Sequence, residues 1–362
     1  MPITIGDAWR DGGRTVNNFD AIRLFAASLV IFSHSFEITD GTRVNEPLRR
    51  LGADLSLGEC GVIIFFTVSG FLLTKSWIST PEAKGFVIRR ALRIMPALIC
   101  VVVLSAFVVG PILSTLSFER YFSSSEAFAY LANAAFIVNW GTLPGVFSTN
   151  PAGGGVNAPL WTLAIEISCY GLLLVLGVSG RLTYLTCCAL IVACFYYLAG
   201  SIAWAPDLSA ESRFFNYVFK IGALAPAFFA GAYMALRPGS IPLDARIAAA
   251  CAVAIGLSVV FGAMLVVFSL CGAYLALYIA FAPLGPVRQA GAAGDFSYGL
   301  YLWGWPAQQF AVSTFPGQNW PHNLLIAVPI AFALAVASWF IVEAPALSLK
   351  PRTPMRLAML NK

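Results

Sequence analysis

The stretch from Asn18 to Phe36 (NFDAIRLFAASLVIFSHSF) is apolar, yet it carries Asp20 and Arg23 at one end and His34 near the other. Ionisable groups inside a membrane-spanning length of apolar chain are costly, so they mark functional sites. Arg23 and His34 are eleven positions apart. On a helix that is close to three turns, which puts both side chains on one face, ~16 Å apart along the axis. The chain has one other histidine, His322, so His34 is the first candidate for proton transfer near neutral pH. Glu37 follows about one turn later and is placed to orient the imidazole.

Further clusters recur along the chain. Gly61 to Gly70 (GVIIFFTVSG) contains Ser69, a conceivable nucleophile if His34 activates it. Ser69 lies in mid-helix with no strained turn to present it, so close helix packing through the small residues is the reading. Phe65, Phe66 and Ser69 are then candidates for lining a ligand tunnel. Arg89, Arg90 and Arg93 stand just before Pro96. Basic residues there anchor a span to anionic lipid, but three arginines in five positions are denser than anchoring needs and suit a phosphate ligand. Trp161 reads as an interfacial aromatic, whereas Glu166, about a turn and a half inside the same apolar run, needs a partner, water or a polar ligand. Tyr298 to Pro306 (YGLYLWGWP) reads as interfacial aromatics, with Tyr298 and Tyr301 as possible lining residues, and Glu343 ends the last apolar run.

The elements that position these groups follow from composition. The chain has 362 residues, 59% hydrophobic and 11% charged, with mean hydropathy +0.79. Soluble domains carry about 25% charged residues, so this is an integral membrane protein of the all-α, polytopic helical-bundle class. A net charge of +5, spread along the chain, does not suggest nucleic-acid binding. Eight cysteines lie in or beside apolar runs without metal-ligand spacing, so no metal is expected and they read as small apolar residues. The first apolar run lacks a small-residue cleavage site and reads as an uncleaved span.

Apolar runs of about 20 residues fall near 20–38, 60–79, 95–116, 159–178, 182–203, 217–236, 247–262, 264–282, 296–314 and 323–345. The two runs within 247–282 are divided at Gly262, because a single helix of that length would overshoot a bilayer. Residues 127–141 are shorter, interrupted by Asn133 and Asn139, and read as re-entrant or interfacial. Charge supports that choice. With ten spans and cytoplasmic termini, fourteen Lys and Arg fall inside and six outside; if 127–141 spanned, the counts would be eight and twelve. The expectation is therefore one membrane-embedded domain over 1–362, with a cytoplasmic segment 1–18 and a basic cytoplasmic tail 350–362. The Gly-, Pro- and Asn-rich tract from Pro144 to Pro159 reads as an outward-facing loop or lid.

Taken in order, these clusters resemble the acyltransferase type 3 family of bacterial membrane O-acyltransferases. Asp20-Ala-Ile-Arg23, ten residues and His34 match its opening D-G-L-R-like segment and histidine. Gly61 to Phe71 fits G-V-x-x-F-F-x-x-S-G-F, and Arg90-Ala-Leu-Arg93 fits R-x-x-R. Trp161-Thr162-Leu163 with Glu166 matches W-S-L-x-x-E, Tyr298 to Pro306 matches Y-S-L-Y-L-W-H-W-P, and Glu343-Ala-Pro345 matches a closing E-x-P. The resemblance covers essentially the whole chain. Two departures stand out: Gly304 replaces a second histidine, and Ile167 replaces a second glutamate that often follows the first.

The resemblance implies a bacterial cytoplasmic-membrane enzyme that moves an acyl group, usually acetyl, from acyl-CoA to a hydroxyl of an extracytoplasmic or lipid-linked glycan. Acyl-CoA is then a co-substrate, and no permanently bound cofactor is expected. Arg89, Arg90 and Arg93 would hold the donor's phosphates, with Arg23 beside the path to His34. His34 would be general base or transient acyl carrier, and Glu166 would orient it or bind acceptor hydroxyls. A glycan or lipid transporter without chemistry is the alternative, against which the arginine cluster and the lack of inverted repeats weigh. A purely structural subunit would leave the ordered polar sites unexplained.

Overall fold

A computed structural model describes residues 3–12, 16–136, 141–204, 213–285 and 291–350. Arg14, Asn139, Arg288 and all of the expected tail except Lys350 lie outside the described residues. The architecture is helical, with two isolated antiparallel bridges among the described residues. A short helix α1 (Ile5–Arg10) precedes α2 (Phe19–Asp40), α3 (Leu57–Ser79), α4 (Ala83–Leu113), α5 (Trp161–Val178) and α6 (Tyr184–Trp204). Then come α7 (Arg213–Leu236), α8 (Ala245–Val260), α9 (Met264–Phe281), α10 (Ser297–Thr314) and α11 (Trp320–Ser348).

Each of the ten apolar runs lies on one of the helices α2–α11. Eight of these helices are long and apolar enough to cross a membrane. The other two are α8, with 16 residues, and α10, with 18 residues that include Gln308 and Gln309. Those glutamines are fully buried among neighbouring helices, where Gln308 Nε2 donates to the Ile31 carbonyl and the Gln309 amide both donates and accepts, while Gln308 Oε1 has no hydrogen-bond partner among the described residues. α8 and α9 part at Gly262, whose φ of 60° suits a residue without Cβ. Asp54 then caps α9, accepting from the backbone N–H of Met264 and Leu265 at 2.8 and 3.1 Å. Within 127–141, a 3-10 turn spans Tyr130–Ala135, and Phe136 leaves it in the left-handed conformation.

Small residues set the closest helix approaches. A Cβ on Gly61 would meet the carbonyl oxygen of Ala26 on α2 at 2.5 Å, and a Cβ on Gly58 would meet Ser33 at 3.0 Å. Gly70 of α3 lies hard against the Phe228 backbone of α7, and Gly231 returns the contact on Thr67. The packing reading of Gly61 and Gly70 therefore holds. α10 runs beside both α2 and α11. Gln308 ties it to α2 by donating to the carbonyl of Ile31 at 2.8 Å.

Candidate active site

One cavity lies where α2, α3, α4, α5 and α10 converge, lined by Arg23, Arg90 and Arg93 with Phe65, Phe66, Ser69, Glu166, Tyr170, Tyr298 and Tyr301. Helical spacing explains much of this. Arg90 and Arg93 are three apart on α4, as are Phe66 and Ser69 on α3 and Tyr298 and Tyr301 on α10, so each pair shares a face. Glu166 accepts from Ser69 Oγ at 2.7 Å and from the hydroxyl of Tyr170 one turn on. This is the partner that a carboxylate inside an apolar run requires. The hydroxyls of Thr162 and Tyr301 share a short hydrogen bond, and Tyr298 donates to the Ile94 carbonyl at 3.0 Å. Tyr298 and Tyr301 are thus cavity-lining residues, not interfacial ones.

The three arginines differ in their partners. Arg23 and Arg93 both bond Asp295, and Arg23 also pairs with Asp20 at 3.4 Å. Arg93 reaches Glu343 at 3.6 Å, across a π-turn (Trp339–Glu343) that turns this carboxylate into the bundle, where Ser338 also donates to it. Arg90 has no hydrogen-bond or ion-pair partner among the described residues. Arg89 is not among the residues that line the cavity, and its Nη2 is buried without a hydrogen bond. Burial pushes the Asp295 carboxyl up, but Arg23 and Arg93, with two hydrogen bonds from Ser297, prevail and hold it at about 2.

The site contains an acid that the sequence reading did not single out. Asp295 stands three residues before Tyr298, and the signal available was a carboxylate at the start of an apolar helix in a chain with unexplained arginines. Glu343 is buried at 2% exposure, a deeper role than the end of a span.

His34 stands elsewhere. Its ring is edge-on to Trp305 of α10, with centroids 4.9 Å apart, and it makes no hydrogen bond among the described residues. Ser33 packs against Gly58, and Ser69 lies eleven residues further along α3. By helical rise that separates the Glu166 pocket from His34 by ~16 Å. Glu166 therefore does not orient His34. Neither does Glu37, which accepts from Arg43 Nε at 2.7 Å in a network that continues through Glu59 to Arg49. Asp20 stays at the partly exposed edge with Arg23, outside the cavity lining. Trp161 also lies outside it, stacked under the Lys220 ammonium at 4.3 Å.

The expected lid packs over the His34 end. Trp305 Nε1 donates to the Gly155 carbonyl at 2.7 Å, Gln309 donates to Gly153 and Gly155, and Asn150 donates back to Gln309. Gly304, where the resembling family carries histidine, packs on Ile31 of α2, and a Cβ there would meet Ile31 Cγ1 at 2.7 Å, so a larger residue requires that side chain to shift.

The acyltransferase domain family matches residues 16–343. The chain belongs to that family. This acyltransferase is 29% identical to an O-acetyl transferase of Shigella phage Sf6 over 343 residues, covering 90% of this chain and 95% of the relative. It is 30% identical to nodulation protein 10 of Rhizobium leguminosarum bv. viciae over 370 residues, 92% of this chain and 94% of the relative. A putative membrane-bound transacylase, BcsY, of Komagataeibacter xylinus is 26% identical, covering 82% and 78% of the two chains. No solved structure matches. The acyltransferase is therefore a multi-pass membrane enzyme whose relatives include an O-acetyl transferase.

Proposed function

We propose that this acyltransferase moves an acetyl group from acyl-CoA to a hydroxyl of an extracytoplasmic or lipid-linked glycan in a bacterial cytoplasmic membrane. The observation that carries this reading is Arg90, a cation facing the cavity without a carboxylate partner among the described residues. A guanidinium so placed suits a donor phosphate. Arg23 and Arg93, held by Asp295 and Glu343, shape the cavity wall more than they bind the donor.

From there the thioester arm extends along α2 and past Phe65 and Tyr301 towards His34, a distance of ~16 Å by helical rise. His34 takes the proton of the acceptor hydroxyl as the oxygen attacks the thioester carbonyl. The C–S bond breaks, the thiolate leaves and recovers that proton from His34, and the products are an ester and the free thiol. The loop carrying Asn150, Gly153 and Gly155, bonded to α10 above His34, is the acceptor side. Ten crossings with both termini cytoplasmic put the arginines at the inner surface and His34 in the outer half, in agreement with the charge count.

Mass spectrometry of surface glycans from cells with and without the gene tests this. An acetyl mass difference that is labile to base is expected, and identical glycans in the two strains would overturn the reading.

A further inference from the structure

A second cavity, about 380 Å³, lies outside the site described above, between α2 and α9 with Ile64 of α3 as its floor. Its two walls run antiparallel. Asn18 and Phe25 mark the ends on the α2 side, and Ile279 and Phe268 mark them on the α9 side. By helical rise the α2 wall is ~10 Å long. Ala21, Gly272 and Ala276 line the cavity, and their lack of bulk leaves the space between the helices unfilled. Phe25 is 59% exposed and Ile279 42%, on helices long and apolar enough to cross a membrane, so the cavity opens sideways to lipid.

The one polar side chain in this lining is Asn18, the N-cap of α2. An asparagine at that position ordinarily turns its side-chain oxygen onto the N–H groups of the first turn. Asn18 does not. Its amide is committed to α9, where Nδ2 donates to the carbonyls of Ile279 and Ala282 at 2.6 and 2.8 Å. Both of its N–H groups are thereby used, and Oδ1, on a residue only 1% exposed, has no donor among the described residues. A buried acceptor without a donor is destabilising, so the arrangement is completed by a ligand that carries an N–H or O–H.

Depth decides which ligand. Asn18 directly precedes the apolar run, at headgroup level, and the rest of the cavity lies within the span. Its complement is a hydrocarbon chain that ends in a hydrogen-bond donor at the membrane surface, which describes a bilayer phospholipid. Moving a chain from the bilayer into the cavity gains no hydrophobic free energy, because both surroundings are apolar. Packing and the polar end therefore do the selecting. We infer that this cavity binds one acyl chain of a phospholipid whose headgroup donates a hydrogen bond to Asn18 Oδ1. The ethanolamine ammonium and the glycerol hydroxyl both qualify, whereas choline, which has no N–H, does not. Held there, the lipid braces α2, the helix that carries Arg23 and His34, against α9.

Native mass spectrometry of the purified full-length chain tests this, with phosphatidylethanolamine, phosphatidylglycerol and phosphatidylcholine of identical chains in competition. Wild type should retain an ethanolamine or glycerol lipid in preference to the choline lipid by about three- to tenfold, the range of one such hydrogen bond. Ala276→Phe fills the cavity without altering Asn18 and should retain one lipid fewer. Asn18→Leu keeps the apolar walls, and its headgroup preference should vanish. The wild-type comparison stands whether or not Asn18→Leu folds. Equal retention of all three headgroups by wild type, or an unchanged lipid count in Ala276→Phe, overturns the inference. So does a preference confined to phosphatidylglycerol, which would be the pull of nearby cations on an anionic lipid. Recovery of a polyprenyl lipid instead, in the chain as purified from its own membrane, overturns it too. Each of these outcomes leaves the acyl-transfer reading untouched.

Discussion

Arg90 and Arg93 lie one turn apart on the same helix face, yet they are chemically different residues. Arg93 is bonded to Asp295 and paired with Glu343, whereas Arg90 has neither. Removing Arg93 strands the buried Glu343 and leaves Asp295 to Arg23 alone, at a cost on the order of 3–5 kcal/mol. Arg93→Ala should therefore lower thermal stability in detergent sharply and reduce every kinetic parameter. Arg90→Ala leaves no buried charge behind, so it should keep the wild-type melting temperature and raise the donor KM about ten- to a hundredfold with little change in kcat. Equal destabilisation by the two variants would show that Arg90 is also structural. At His34, replacement by Ala should abolish transfer while the protein inserts and melts normally; retained transfer would remove the histidine from the mechanism. In the sequence, His34 stands out by its spacing from Arg23 on one helical face. Its surroundings were not legible, because nothing in the order of residues shows that Glu37 turns to Arg43 or that Trp305 comes to lie against the imidazole.

At the scale of elements, Asp295 joins three pieces of chain far apart in sequence: α2 through Arg23, α4 through Arg93, and the start of α10 through Ser297. The runs that form α2–α11 were readable because apolar length is a local property. The clasp among them was not, since its partners are 272 and 202 positions away. Glu166 shows the same limit: its need for a partner was visible, but Ser69, 97 positions away, was not identifiable as that partner. Asp295→Asn removes the charge that two arginines share and should lower the melting temperature, because it leaves Arg23 only the longer pair with Asp20 and Arg93 only that with Glu343. The pH dependence has a defined sign. The folded-state pKa of about 2 lies below the ordinary 3.8, so this stability is complete above pH 4 and is lost as pH falls from 4 towards 2. Acid melting curves of wild type and Asp295→Asn should differ above that window and converge below it. Parallel curves would show that the clasp contributes nothing.

Across the whole molecule, one end of the helical bundle gathers Arg23, Arg89, Arg90, Arg93 and Lys350 against Asp20, Asp295 and Glu343, while Glu166 is engaged with hydroxyls. The surplus positive charge draws anions to that end, so donor affinity should fall as ionic strength rises. Titration of CoA into the wild-type protein at low and at high salt checks this. Arg90, which lines the cavity without a carboxylate partner among the described residues, is the group on which the effect should depend, so Arg90→Ala should flatten the salt dependence as well as weaken binding. A dissociation constant that does not move with salt in wild type would show that the arginines at this end are matched by their own carboxylates and exert no pull on the donor.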